Sequence, residues 1–175
     1  TGSYNPNGIL AVGLYNVLSV QAGGAHSIAL KKDGTVWAWG SNYAGQLGDN
    51  TTIDKNVPIK VPGLSEIVQI SAESDYSLAV DKYGRVWAWG HNGYGQLGIG
   101  SLENQLVPIE IPGINNAVEL RSDYAHSMVL KDDGNVWSFG YNKYGQLGEG
   151  TNIDKIITVQ VMGLSNIISI TCGDY

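Results

Sequence analysis

The chain has 175 residues and a formal net charge of −6, and its ten Lys and Arg residues are spread along the sequence. Basic patches that neutralise phosphates need clustered Lys and Arg, so we expect no nucleic-acid partner. No apolar run approaches the roughly 20 residues of a membrane-spanning helix, so we expect no membrane insertion either. Cys172 is the single cysteine, which excludes an intrachain disulfide. Twenty-four glycines beside many Trp and Tyr residues favour short strands and tight turns.

The dominant feature is an internal repeat with a period of 50 residues and no insertion or deletion. The positions in register include Gly34, Gly84 and Gly134, then Trp37, Trp87 and Trp137, and then Asn42, Asn92 and Asn142. We place the repeats at about 13–62, 63–112 and 113–162, with partial repeats at 1–12 and 163–175. Residues 1–175 are therefore expected to form one partial repeat domain.

Each repeat predicts four short strands in chain order. In the second copy they are IVQIS (67–71), YSLAV (76–80), RVWAWG (85–90) and VPIEI (107–111), which are rich in β-branched and aromatic residues. The tetrad DKYG (81–84) joins the second strand to the third, and its glycine suits a tight hairpin. Four antiparallel strands per repeat and no helical period predict an all-β fold built from propeller blades.

The third strand of each repeat explains how blades would pack. Trp37 and Trp39 project to one face of the strand, while Val36 and Ala38 project to the other. A sheet with one bulky face and one small face packs well against a copy of itself. Phe139 stands where the other copies have Trp, so we expect this position to need a large ring rather than an indole hydrogen bond.

Three segments carry a family resemblance. HSIALKKDGTVWAWGSNYAGQLG (26–48), YSLAVDKYGRVWAWGHNGYGQLG (76–98) and HSMVLKDDGNVWSFGYNKYGQLG (126–148) resemble repeats of the regulator of chromosome condensation family. The resemblance implies a seven-bladed β-propeller of four-stranded blades, of which this chain covers about half a ring. It implies less about activity, because such repeats serve exchange factors, ubiquitin ligases, a bacterial β-lactamase inhibitor and many unassigned bacterial proteins.

Three interpretations of the half ring stay open. The sequence is a fragment of a longer chain, an oligomer pairs the exposed terminal blades, or the chain is an open crescent. Because apolar sheet faces would be exposed at both ends, we predict that the 175-residue chain self-associates.

The repeated NxxGQLG turn indicates a structural role rather than a catalytic or ligand-binding one. Asn42 suits an Asx turn, Gln46 is expected to satisfy backbone groups, and the motif lacks the Lys and the helix of a phosphate loop. His26 and His126 show no metal-ligand spacing, and no catalytic set can be assembled around them. We therefore expect no catalytic residue, no metal and no cofactor.

The positions that vary between copies are the better binding candidates. Tyr and His side chains on loops of a rigid scaffold offer large contact areas at low entropy cost. Acidic residues near the strand ends are expected to form a face that attracts a basic partner. The predicted binding residues are Ser41, Tyr43, His91, Tyr94, Tyr141, Lys143, Tyr144, Glu73, Asp75 and Asp123.

The function predicted from these patterns is a non-enzymatic module that binds a protein partner through variable loops on one propeller face. A carbohydrate-binding propeller is the first alternative, because aromatic side chains stack on sugars. A guanine-nucleotide exchange factor for a small GTPase is the second. Localisation stays open, although basic residues that are mostly lysine favour a bacterial, extracellular protein.

Overall fold

The computed structural model describes residues 13–173 and contains twelve strands, with no helix in that range. The strands form three four-stranded antiparallel sheets, each of which joins its strands in chain order. The first sheet contains β1 (Val17–Ala22), β2 (His26–Lys31), β3 (Val36–Gly40) and β4 (Lys55–Lys60). The second contains β5 (Ile67–Glu73), β6 (Tyr76–Asp81), β7 (Val86–Gly90) and β8 (Gln105–Glu110). The third contains β9 (Ala117–Asp123), β10 (His126–Lys131), β11 (Val136–Gly140) and β12 (Lys155–Gln160).

The all-β prediction of four-stranded blades is confirmed, and the three sheets form part of a ring. The expected partial repeat at 1–12 lies outside the described residues, as do the last two residues of the one expected at 163–175. No helix that could cross a membrane occurs between residues 13 and 173.

The hairpins form where the sequence predicts them. In the first sheet Gly34 has a φ of 74°, and its N–H donates to the carbonyl of Lys31 at 3.0 Å. A side chain with a Cβ strongly disfavours this left-handed backbone, which explains why a glycine closes each polar tetrad.

Neighbouring sheets pack through a bulky face against a small face, as the alternation in the third strand predicts. Trp89 of β7 is fully buried among Val36, Ala38 and Leu47 of the preceding repeat. One repeat later, Phe139 occupies the same position in a second apolar cluster, among Val86, Ala88 and Leu97. Burying a large aromatic side chain contributes roughly 1.5–3 kcal/mol, so these rings are major sources of cohesion between sheets.

The expectation that this position needs no indole hydrogen bond is wrong for the first interface. The Nε1–H of Trp89 donates to the carbonyl oxygen of Gln46 at 2.9 Å. The ring also lies so close to Gly48 that a Cβ there would approach Trp89 Cδ1 to 3.0 Å. The glycine ending GQLG therefore makes room for the ring of the next sheet, besides permitting the turn.

The first strands of neighbouring sheets also contact each other. The Gln69 side chain of β5 donates to the Leu120 carbonyl at 3.2 Å and accepts from the Leu120 N–H at 3.1 Å. Glu119 repeats part of this arrangement, since its carboxylate accepts the N–H of Ile170 at 3.0 Å. These contacts fix the rotation from one blade to the next, and hence the relative positions of the loops at the blade ends.

Candidate functional site

The variable loops lie together at one edge of the blades, which we call the loop face. In the first sheet His26 pairs with Gly40, and the N–H of Ser41 donates to the Ala25 carbonyl at 2.9 Å. The turn between the first two strands and the loop after the third strand therefore emerge side by side. The hairpins between the second and third strands emerge at the opposite edge, which we call the hairpin face.

An Asn–Gln frame, buried except for the half-buried Gln146, holds each loop after the third strand. In the second sheet Asn92 Oδ1 accepts the N–H of Leu97 at 3.0 Å, and Asn92 Nδ2 donates to the carbonyls of Ser101 and Glu103. Gln96 Oε1 accepts the N–H of Tyr94 at 3.0 Å. The first and third sheets repeat these bonds through Asn42 and Gln46, and through Asn142 and Gln146. The repeated residues of the motif thus build the loop.

Four of the predicted residues form a continuous row of rings on the loop face, which we call the aromatic row. His91 and Tyr94 have ring centroids 6.4 Å apart, Tyr94 and Tyr141 5.2 Å, and Tyr141 and Tyr144 6.3 Å. The central contact joins the second blade to the third. Each neighbouring pair is steeply inclined, at 65–73°, which is the edge-to-face geometry that aromatic pairs prefer.

The Gln96 side chain fixes the first ring of the row. Because its Oε1 accepts from Tyr94, its Nε2 is the donor that meets His91 Nδ1 at 2.9 Å. In the neutral imidazole the proton is then carried by Nε2 of His91. The same side chain that supports the turn therefore orients His91 as a hydrogen-bond donor.

Asp75 lies directly beside this end of the row. The N–H of His91 donates to the Asp75 carbonyl at 2.9 Å. The Asp75 carboxylate accepts hydrogen bonds from the Tyr43 hydroxyl and, at 3.2 Å, from Gln46 Nε2. The bond to the carboxylate raises the pKa of Tyr43 to about 12. Both donors are neutral, so they hold the carboxylate in place without cancelling its charge.

The remaining predicted residues, Lys143, Glu73, Ser41 and Asp123, belong to loops or strand ends of the same face. Lys143 is exposed beside Tyr144, at the opposite end of the row from Asp75. Glu73 Oε1 accepts the N–H of Ser74 at 3.1 Å, and Ser41 is half-buried at the start of its loop. Asp123 is only 7% exposed, and its Oδ1 accepts the N–H of Tyr124 at 2.6 Å, so its side chain shapes its own turn.

The His26 side chain links the first sheet to the second. His26 Nε2 lies 2.9 Å from Ser77 Oγ, and Ser77 donates its single hydroxyl proton to the Gln46 carbonyl at 3.0 Å. Ser77 is therefore the acceptor, and His26 Nδ1 is left buried without a hydrogen-bond partner. Burial lowers the pKa of His26 to about 4. One repeat later Tyr76 makes the corresponding link to Ser127 at 3.1 Å.

Sequence reasoning missed two exposed features. Tyr124 is about half exposed on the loop face, and only its position beside the predicted Asp123 could have indicated it. Near the hairpin face Leu18, Val68 and Val118 share one repeat position and are each 57–59% exposed. Their spacing of 50 residues is visible in the sequence, but apolar residues in a predicted strand are normally assigned to the buried core.

No cluster of metal-ligating side chains occurs among residues 13–173. Cavities of about 370 and 550 Å³ lie along the first strands, lined by residues such as Gln69, Ser71 and Val118. They are separate from the aromatic row, which is an open surface. Such a surface suits a partner that lies across it.

The chain matches a known family model over most of its length. The Regulator of chromosome condensation (RCC1) repeat model matches residues 33–80, 83–130 and 133–175, and a second model of the same description matches 17–46 and 67–96. The first two units of that model, 33–80 and 83–130, run from the third strand of one sheet into the second strand of the next. One sequence unit therefore spans the interface between two blades.

Named relatives and solved structures agree with this match. The chain is 53% identical over 45 residues to the human protein named "Probable E3 ubiquitin-protein ligase HERC6", which covers 24% of this chain and 4% of that relative. Human WBSCR16 superposes with a TM-score of 0.74 at 26% identity, covering 82% of this chain and 37% of that one. Prp20p of Saccharomyces cerevisiae gives a TM-score of 0.78 at 21% identity, covering 86% and 39%.

The chain thus spans less than half the length of either structural neighbour. Its three described sheets correspond to about three blades, which form part of a propeller ring. The matches to the family model, the repeated strand order and the superpositions lead to one conclusion: the chain belongs to the regulator of chromosome condensation (RCC1) repeat family of β-propellers.

Proposed function

We propose that this chain is a non-enzymatic interaction module that binds a protein partner through its loop face. The observation that carries the proposal is the aromatic row, in which rings from two neighbouring blades contact each other across the blade boundary. A rigid frame holds a half-exposed set of Tyr and His side chains, which is the composition of many recognition surfaces.

The geometry of the row favours a protein over a sugar. A carbohydrate site usually presents a ring face as a flat platform, whereas neighbouring rings here are inclined by 65–73°. Such a row presents ring edges as well as ring faces, which suits the side chains of a protein better than a flat pyranose. Carbohydrate binding is therefore the first alternative to protein binding, and an experiment has to distinguish the two.

The solved neighbours support a protein partner. The Prp20p structure was described together with its binding properties to Gsp1p and histones, and yeast RCC1 (Prp20) has been solved bound to Kap60. These statements concern Prp20p, and its similarity to this chain is at the level of the fold. Exchange activity on a GTPase stays the second alternative, and the prediction that nucleic acid does not bind stays a prediction.

The test is a quantitative capture experiment with the natural protein that carries these repeats. Wild type is compared with a Tyr94→Ala/Tyr141→Ala variant and with Tyr83→Ala, which removes a 59% exposed tyrosine from the hairpin face. We expect a defined protein to be captured by wild type and Tyr83→Ala and to be lost from the row variant. A glycan array run on the same three proteins separates the alternatives: row-dependent glycan binding without a captured protein would overturn the proposal.

A further inference from the structure

The inclined rings of the aromatic row follow one another at similar spacings. Successive ring centroids are 6.4, 5.2 and 6.3 Å apart, and no neighbouring pair is stacked in parallel. A polyproline II helix rises about 3.1 Å per residue with three residues per turn, so two turns, about 19 Å, span all three ring-to-ring steps. Proline-rich segments of this conformation dock into aromatic-lined grooves with little further loss of entropy.

Polyproline II segments also leave their backbone carbonyls without internal hydrogen bonds. A site for them therefore needs side-chain donors among its rings. His91 provides one, because its Nδ1 is held by Gln96 and its proton is placed on Nε2. A strand added to a sheet edge would need backbone partners instead, and the row is built from loop side chains.

The two ends of the row carry opposite charges. Asp75 adjoins His91 at one end through its backbone carbonyl, and its carboxylate extends towards Tyr43 and Gln46 of the first blade. At the other end, exposed Lys143 is the sequence neighbour of Tyr144. Asp75 is held by two neutral donors, Tyr43 and Gln46, so its orientation is fixed before any ligand arrives. A ligand with one basic end and one acidic end would therefore bind in one direction only.

We propose that the aromatic row is a docking site for an extended, proline-rich segment of a partner protein, with a basic residue at the Asp75 end and an acidic group at the Lys143 end. This rests on the proposed function, since it names the chemistry of the partner for the same surface. The prolines and neighbouring aliphatic residues pack against the exposed edges and faces of Tyr94 and Tyr141, and the charged ends set the direction.

The test is fluorescence anisotropy with the intact protein and a labelled ten-residue peptide of alternating leucine and proline, with arginine at one end and glutamate at the other. Both orientations of the charged ends are synthesised, together with a peptide in which every proline is alanine. We expect one orientation to bind at least about tenfold more tightly than the other peptides. The Tyr94→Ala/Tyr141→Ala variant should weaken that binding at least about tenfold, and Tyr83→Ala should leave it unchanged.

Asp75→Asn tests the charged end. It should weaken binding of the preferred peptide about threefold and reduce its salt dependence, with no effect on a peptide whose arginine is alanine. If the double variant does not fold, Tyr144→Ala, which truncates a 71% exposed ring, takes its place.

The two proposals fail in different ways. If none of the peptides binds wild type up to about 1 mM, or if the all-alanine peptide binds equally well, the proline-rich ligand class is overturned. The proposed function would nevertheless stand if protein capture still depended on Tyr94 and Tyr141. Protein capture that is unchanged in the Tyr94→Ala/Tyr141→Ala variant would overturn the proposed function as well.

Discussion

Within each loop after the third strand, neighbouring residues have two different roles. Asn92 and Gln96 are buried, and their side-chain oxygens accept the same two backbone N–H groups as the corresponding residues of the other two blades, whereas His91 and Tyr94 are partly exposed and differ from copy to copy. The buried pair satisfies backbone groups that water cannot reach, so it tolerates little change. The exposed pair is free to vary, and this difference separates the frame of the loop from its recognition surface.

The largest effect should come from breaking the frame. Asn92→Ala leaves the buried N–H of Leu97 and the carbonyls of Ser101 and Glu103 without their side-chain partner. At about 1–3 kcal/mol for each unsatisfied buried group, we expect the free energy of unfolding to fall by about 4 kcal/mol. Denaturant unfolding measures it. Asn152→Ala, which removes an exposed asparagine, is the control and should cost less than about 0.5 kcal/mol.

The next effect concerns pH at the link between the first two sheets. Burial lowers the pKa of His26 to about 4 from a usual value of 6.5, so between these values the unfolded chain binds a proton that the folded chain excludes. Acidification from pH 7 to pH 4 should therefore destabilise the fold, by about 1.4 kcal/mol per pH unit and about 3 kcal/mol in all.

His26→Tyr copies the residue that makes the corresponding link in the next interface, Tyr76. This variant should lose the His26 contribution to the pH dependence. The pKa of His126 is also lowered by burial, but it contributes equally in both proteins and cancels in the comparison. Identical unfolding free energies against pH for the two proteins would show that His26 is not the cause.

A smaller effect should follow from exchanging the rings between sheets. Trp89→Phe removes the bond to the Gln46 carbonyl, but that carbonyl keeps the hydroxyl of Ser77, so we expect a loss of only about 1 kcal/mol. Phe139→Trp is the reciprocal change, and it should be tolerated if its indole reaches the Gln96 carbonyl. Thermal unfolding of both variants measures this, and a loss above about 3 kcal/mol for Trp89→Phe would mean that indole packing matters more than the hydrogen bond.

The smallest effect on stability should come from the row itself. Tyr94→Ala and Tyr144→Ala truncate rings that are 38% and 71% exposed, so each should change the free energy of unfolding by less than about 1 kcal/mol. The same substitutions should weaken partner binding strongly. Losses of stability as large as that of Asn92→Ala would remove the distinction between frame and surface.

Much of the fold follows from the repeated residues. The 50-residue register of Gly, Trp and Asn predicts the strands, the hairpins and the packing of bulky against small faces, because these features depend on local turn chemistry and side-chain alternation. The bond from Trp89 to Gln46 was not predictable in the same way. It depends on where a backbone carbonyl of one sheet meets the next sheet, which no spacing in the sequence specifies.

For the candidate site, the sequence indicates residues but not their arrangement. Variation between copies predicts His91, Tyr94, Tyr141 and Tyr144 as binding candidates, and their contact as one row depends on the rotation between blades, which the sequence does not specify. Asp123 shows the opposite limit: as an acidic residue at a strand end it looks exposed in sequence, yet its turn buries the carboxylate.

The predicted self-association of the 175-residue chain is tested separately from these comparisons. Trp37 and Trp39 lie on the bulky face of the first sheet, and in the next two sheets the corresponding face is buried against a neighbour. We expect light scattering to report a mass above 18.7 kDa at high concentration. A monodisperse monomer would contradict this.

The most direct test of the central claim is photo-crosslinking from the two faces of the natural protein. A photoreactive amino acid is placed at position 144 in the aromatic row or, as the control, at position 83 on the hairpin face. We predict a discrete protein adduct from position 144, lost when Tyr94→Ala is added, and no such adduct from position 83. Equal adducts from both positions, or an adduct from position 144 that survives Tyr94→Ala, would contradict the assignment of the row as the recognition surface.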